Sequence, residues 1–331
     1  MPPPRSIADV GEFGFLARLL PRLPRGGGVV VGPGQDCAVV RVGARRMVLT
    51  VDALVEDVHF RAGWSSPRQL GRKSFLVNAS DVAAMGARPR FALVSVGAPP
   101  TYPARDLAAL QSGIVAAARE VGASVVGGNL TRAERLFVSV TVVADAPTRL
   151  ITRQGAAVDD RVYVTGTLGD AAVGIRVLQG RMRAARGATA VRRYREPQPR
   201  LRAGRLLVGA GVVSAMIDVS DGLVQDLGHI CEQSRVGAVV QSAAVPRSRA
   251  YRALMGDDDS LALRGGEDYE LLFSVPPARV ARLERLRARL GCPITHIGDI
   301  VAGRRVRVRA ASGALRAVRA GGYDHFAGAR N

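Results

Sequence analysis

The stretch AMIDVSDGLVQDL, residues 215–227, carries an apolar run straight into an amphipathic segment and sets Asp218, Ser220 and Asp221 at the junction. A strand passing into a helix across a short polar turn is the repeating unit of α/β layering. A carboxylate at the mouth of a buried strand costs roughly several kcal/mol when nothing pairs with it, so it must face solvent, cap a helix or hold a cation. Capping by Ser220 or Asp221 would contribute about 1 kcal/mol and account for one residue of the three. Asp218 remains unexplained, while Asp226 reads as a solvated helix acid.

The same pattern extends to both sides. Glu12 to Leu23 predicts an amphipathic opening helix ended by Pro24. VVVGPG, CAVVRV and RMVLTVDALV predict strands, and RQLGRKSFLVNASDVAAMGA predicts a helix whose small residues suit close packing. RFALVSVGAP, PARDLAALQSGIVAAAREVGA, SVVGG and LFVSVTVVADA continue as strand, helix, strand and strand. Residues 145–155 turn polar, and DDRVYVTGTLGDAAVG then restarts the alternation. The expected organisation is α/β (α+β), with an N-terminal domain over 1–148 and a C-terminal domain over 149–331.

A net charge of +19 and a pI near 11.3 raise nucleic acid as a partner. The charge is nearly all arginine, with Lys73 the single lysine, and the basic segments 181–205 and 279–290 have few interleaved aromatics to stack bases. In 279–290, Val280, Leu283, Leu286 and Leu290 fall at helical spacing, so the arginines read as a solvated helix face and nucleic acid is not the expected partner. Three scattered cysteines without CxxC spacing fit a reduced compartment. No apolar run approaches the roughly 20 residues of a membrane span, so a cytoplasmic protein with no membrane partner is expected.

Asp36 in GPGQDCAVV, Asp52 beside Thr50 in LTVDALVEDVHF, Asp81 in NASDVAAMGA, and Asp218 and Asp221 all lie at the edge of an apolar element. Hard oxygen ligands gathered from separate elements suit Mg²⁺ when phosphates complete its octahedral shell. The glycine turns GPG (32–34), VVGGN (125–129), TGTLGD (165–170) and RGGED (264–268) could bring backbone N–H groups to phosphate oxygens. P-loop, Rossmann and protein-kinase signatures are missing.

GEFGFLARLL, GPGQDCAVV, LTVDALVEDVHF, GRKSFLVNASDVAAMGARPRFALVSVGAP, VVGGNLTR, LITRQGA, YVTGTLGDAAVGI, IDVSDGLVQDLGHI, LRGGEDYELLFSVP and GYDHF follow one another from about residue 11 to 326. In order and spacing this set resembles the thiamine-monophosphate kinases, within the wider aminoimidazole ribonucleotide synthetase superfamily. The resemblance implies a two-domain fold that dimerises through its N-terminal sheets, and ATP-dependent, multi-Mg²⁺ phosphorylation of thiamine monophosphate to thiamine diphosphate. By position it implies Asp36, Thr50, Val51, Asp52, Asp81, Asn129, Asp218 and Asp221 at the metals. Gly128, Arg153 and Ser220 would meet ATP, and His59, Glu267, Ala320 and Tyr323 would surround the substrate. Asn129 stands where the family usually has an aspartate, Val51 where many members have threonine, and Ala320 where some have a tryptophan. Tyr323 or a neighbouring segment would then supply the stacking surface, Trp64 lying elsewhere. Two alternatives stay open on the sequence: a paralogue with another phosphorylated acceptor, and a non-catalytic basic nucleic-acid-binding protein.

Overall fold

In the computed structural model, which describes residues 7–23, 26–182 and 187–317, the chain opens with helices α1 (Ile7–Val10) and α2 (Glu12–Leu19). The predicted helix to Leu23 tightens into a 3₁₀ turn at Leu20–Arg22, because Pro21 has no N–H to continue the α ladder. Six strands follow: β1 (Val29–Val31), β2 (Ala38–Val42), β3 (Arg45–Val55), β4 (Arg88–Ala98), β5 (Ser124–Arg132) and β6 (Phe137–Asp145). They form one sheet in the order β1-β2-β3-β6-β4-β5. Only β4 and β5 pair in parallel, which requires a crossover, supplied by α4 (Ala104–Glu120).

Helix α3 (Pro67–Ala84) joins β3 to β4. Its start is written locally: Ser66 Oγ accepts the Gln69 N–H and the Gln69 side chain accepts the Ser66 N–H, a capping box with Pro67 in the first turn. The small residues expected to allow close packing do so where α3 crosses α4, since a Cβ on Gly71 would lie 2.0 Å from the Leu110 carbonyl oxygen. Both helices cover one face of the sheet, into which Val138, Val140, Val142 and Ala144 of β6 point, fully buried. On the other face Val51, Phe91 and Leu93 stay exposed.

The second half repeats the layering. Strands β7 (Arg161–Thr165), β8 (Ala215–Asp218), β9 (Gly237–Gln241), β10 (Leu271–Val275), β11 (Ile294–Val301), β12 (Val306–Arg309) and β13 (Leu315–Ala317) form a sheet in the order β13-β12-β9-β11-β7-β10-β8. Its helices are α5 (Asp170–Leu178), α6 (Ala188–Arg195), α7 (Leu201–Gly209), α8 (Leu223–Ser234), α9 (Arg249–Met255), α10 (Ser260–Arg264) and α11 (Val280–Leu286). The long basic helix expected at 279–290 is α11 plus a 3₁₀ turn, with Leu283 buried and Arg287 paired to Glu284 at its surface.

A shared core ties the halves together: Ala83 and Ala84 of α3 pack with Leu207 and Val208 of α7 and with Tyr163, Met216 and Phe273 of the second sheet. Helix α3 is therefore covered on both sides, which is why it buries Lys73, Ser74, Asn78 and Ser80 as well as apolar residues. Each of those polar groups needs a partner, and the partners build the site.

Candidate active site between the two halves

Asp36, just before β2, Asp81, on α3, and Asp218, the last residue of β8, bring carboxylate oxygens within 4.8 Å of one another. Arg153 donates to Asp36 Oδ1 from Nε at 3.0 Å and from Nη2 at 2.7 Å. Thr50 Oγ1 donates to Asp81 Oδ2 at 2.6 Å, and Ser80 Oγ donates to Asp218 Oδ2 at 2.6 Å. Asn78 Oδ1 accepts the Asp52 N–H at 2.9 Å, so one turn of α3 fixes β3 and β8 together. Two buried acids, Asp36 and Asp218, and the half-buried Asp81 meet here, and Arg153 pairs with Asp36 alone among them.

Burial pushes all three carboxyls up. Asp218 rises to about 7, with Asp36 adding to the effect of burial, while Asp81 stands well above the usual carboxylate range, further raised by Asp52, Asp218 and Asp36. Asp36 is raised as well, since burial outweighs the Arg153 charge. Its second oxygen, Oδ2, is buried and takes no hydrogen bond. An orphaned carboxylate oxygen amid two further acids and a threonine hydroxyl is a hard, all-oxygen donor set, and it fits Mg²⁺.

These groups open onto a cavity of about 1180 Å³. Asp36, Thr50, Val51, Asp52, His59, Asp81, Arg153, Asp218, Ser220, Asp221 and Glu267 all line it. Gly128 and Asn129 do not, because β5 is the edge strand, with β6 and β4 between it and β3. Three strand spacings put them about 14 Å from β3 within one chain. Ala320 and Tyr323 lie outside the described residues.

The opening motif is built differently from its simplest reading. Helix α8 starts at Gly222 with no side-chain cap; instead Asp226, within the helix, reaches back to accept the N–H groups of Asp221 at 3.2 Å and Gly222 at 3.0 Å. Asp226 is thus 2% exposed and not a solvated helix acid, and it lines the cavity together with Ser220 and Asp221. Asp221 Oδ2 accepts from Gln225, and the Ser220 carbonyl accepts the Glu267 N–H at 2.7 Å.

Each acid of RGGEDYE has its own partner. Lys73 Nζ lies 3.0 Å from both oxygens of Glu267, and Arg200 Nε donates to Glu270 at 2.6 Å. Asp268 accepts the N–H groups of Gly169 and Ala171 at the start of α5. The TGTLGD turn, expected to cradle phosphate, therefore has these two amides committed to a carboxylate of its own chain. His59 Nδ1 accepts the Val55 N–H at 3.1 Å, so in the neutral ring Nε2 carries the proton. Trp64 also lines the cavity, edge-on to Tyr194 at 5.8 Å and under the Arg61 guanidinium. Its position five residues after His59 was the available signal.

The AIR synthase related protein family matches the chain with its N-terminal domain over residues 34–146 and its C-terminal domain over 157–311. The thiamine-monophosphate kinase of Mycobacterium tuberculosis is 38% identical over 273 residues, 81% of each chain. That of Escherichia coli K12 is 35% identical, covering 96% of this chain and 98% of the relative. The solved structure of AaThiL complexed with AMPPCP and TMP superposes with a TM-score of 0.85 at 30% identity, covering 97% of this chain and 99% of its own. With the two-sheet fold and the carboxylate cage between its halves, these likenesses establish that the chain belongs to the AIR synthase related family and, within it, to the thiamine-monophosphate kinases.

Proposed function

We propose that the chain transfers the γ-phosphoryl group of ATP directly to the phosphate of thiamine monophosphate, giving thiamine diphosphate. The observation that carries this is the cage of Asp36, Asp81 and Asp218, with its orphaned buried oxygen, at the floor of one large cavity. The likeness to AaThiL complexed with AMPPCP and TMP supports both substrates.

Asp36, Thr50, Asp52, Asp81, Asp218 and Asp221 would hold several Mg²⁺ ions, with Val51 offering its carbonyl. Bound there, the ions supply charge neutralisation for the phosphates. The chain's own residues do the rest. Arg153 and the Ser220 hydroxyl bind ATP phosphate oxygens, and Arg153 is held for that task by Asp36. His59 Nε2–H and the Glu267 carboxylate orient the acceptor, whose thiazolium ring is cationic. Because the attacking phosphate oxygen is already anionic, little base catalysis is required; alignment and electrostatic stabilisation dominate, and no residue is phosphorylated on the way.

A homodimer completes the arrangement. Register places Val51, Thr141, Leu93 and Gly127 in one row across the sheet and Ala53, Ser139, Ser95 and Asn129 in the next. A second copy laid on this face would cover its exposed apolar residues and bring Gly128 and Asn129 toward a neighbouring cavity. The two sheets support a division near residue 148 into N- and C-terminal domains. Among the described residues no helix is long and apolar enough to cross a membrane, and three free cysteines suit a cytoplasmic location.

The test is direct: purified protein with ATP, Mg²⁺ and thiamine monophosphate, thiamine diphosphate measured by chromatography, and unphosphorylated thiamine as control. Product from the monophosphate alone is expected. Magnesium-dependent ATP binding without that product would overturn the acceptor assignment and leave the cage standing.

A further inference from the structure

The chain has 47 lysines and arginines, of which one, Lys73, is lysine. It occupies a closed position between a carboxylate and an aromatic ring. Its residue is 1% exposed, its Nζ sits 3.0 Å from both oxygens of Glu267, and the same Nζ lies 3.5 Å from the centroid of the Tyr194 ring. A compact ammonium, a point charge, fills that gap between a carboxylate and a ring face; a guanidinium, a planar fork, would place its donors differently.

The groups it touches lead to the cavity. Glu267 lines it and Lys73 does not, so the carboxylate stands between the ammonium and the open space. Glu267 and Tyr269 both hold left-handed backbone, φ 70° and 53°, each a strained position for a side-chain-bearing residue, and their N–H groups are tied to the carbonyls of Ser220 and Val219. Tyr194 in turn donates its hydroxyl to the His59 carbonyl at 2.8 Å. Lys73 thus comes from α3 in the first half and fixes a strained loop of the second half and, through Tyr194, the segment carrying His59.

We propose that Lys73 is a positioning residue for the acceptor: it holds the Glu267 carboxylate in one orientation at the cavity wall, and through it sets the affinity for the acceptor's cationic ring. This rests on the reading above that Glu267 and His59 face thiamine monophosphate. It assigns Lys73 no contact with either substrate. A buried ammonium with no partner is costly, so the pair is retained or lost as a unit.

The experiment compares wild type with Lys73→Met, Glu267→Gln and the double variant. Both KM values come from steady-state rates. Binding of thiamine monophosphate alone comes from quenching of the single tryptophan, Trp64, which lines the same cavity. Lys73→Met should raise the acceptor KM about 10-fold while the ATP KM stays within about twofold, and in the Glu267→Gln background it should add nothing further. Equal increases in both KM values, or additive effects in the double variant, would overturn the proposal and leave the kinase reading intact. Wild type that neither binds nor phosphorylates thiamine monophosphate would remove both. If Lys73→Met does not fold, Lys73→Arg serves: it keeps the charge but moves the donors, since a planar fork replaces a point charge, and the same split in KM is expected as Glu267 is turned from its orientation.

Discussion

At the cage each carboxylate is placed by a neighbour, and one of the three is paired with a charge: a hydroxyl orients Asp81, another orients Asp218, and the Arg153 guanidinium pairs with Asp36. The consequence for stability has a definite sign. The Asp218 carboxyl is raised from 3.8 to about 7, so the folded chain binds its proton more tightly than the unfolded chain does. Its contribution is fully present below pH 4 and is lost as pH rises through about 7. Metal-free protein should therefore lose melting temperature between pH 5 and 8. Asp218→Asn keeps an acceptor for Ser80 but removes the charge, so in EDTA at pH 8 its melting temperature should equal or exceed that of wild type, while turnover with Mg²⁺ falls about 100-fold or more. Thermal melts and turnover on the same preparation check both; a large drop in melting temperature would show that the charge stabilises the fold. The acids themselves were legible in the sequence because a carboxylate at the mouth of an apolar strand demands a reason. Their partners were not: Ser80 and Asp218 lie 138 positions apart, Lys73 and Glu267 194. Asp226 was misread because, in sequence, a helix acid facing solvent and one reaching back to its own first turn look the same.

At the level of elements, α3 decides whether the cage assembles, and its placement depends on α7. A Cβ on Gly204 would lie 2.0 Å from the Ala83 carbonyl oxygen. Intrinsic propensity favours alanine over glycine in a helix by about 1 kcal/mol. Gly204→Ala should nevertheless destabilise, by roughly 1–3 kcal/mol, because α7 must move off α3 to admit the methyl group. Denaturant unfolding gives the sign, and a stabilised variant would show that the helices have room to separate. Activity should drop with stability, although Gly204 lines no part of the cavity, since Asn78, Ser80 and Asp81 ride on the helix that is displaced. Periodicity was enough to find α3, α4, β3, β4 and β6, whose apolar spacing is local. It could not reveal the parallel pairing of β4 with β5 or of β9 with β12, because register between distant strands depends on what lies between them. Nor could it separate the opening helix from the 3₁₀ turn that Pro21 forces on its end.

Across the whole molecule, the two faces of the first sheet have unlike surroundings. One is closed by α3 and α4; the other leaves Val51 of β3 and Phe91 and Leu93 of β4 at 60%, 43% and 47% exposure, with β6 between the two strands. The proposed homodimer would cover this apolar face, on a sheet already sealed behind, and Asn129 stands in the adjoining row beside Ser95. Wild type should therefore sediment at about twice 34.9 kDa. Leu93→Glu puts a charge in the middle of that face without touching the core, since the Leu93 side chain points away from α3 and α4. The variant should sediment as a monomer with a circular-dichroism spectrum like that of wild type. If the partner supplies Gly128 to the nucleotide and Asn129 to its metals, the monomer should also bind ATP with Mg²⁺ more weakly, while titration with thiamine monophosphate, followed through Trp64, changes little. A monomer of unaltered ATP affinity would mean that each cavity is complete within one chain, and that the asparagine in VVGGN belongs to the sheet edge alone.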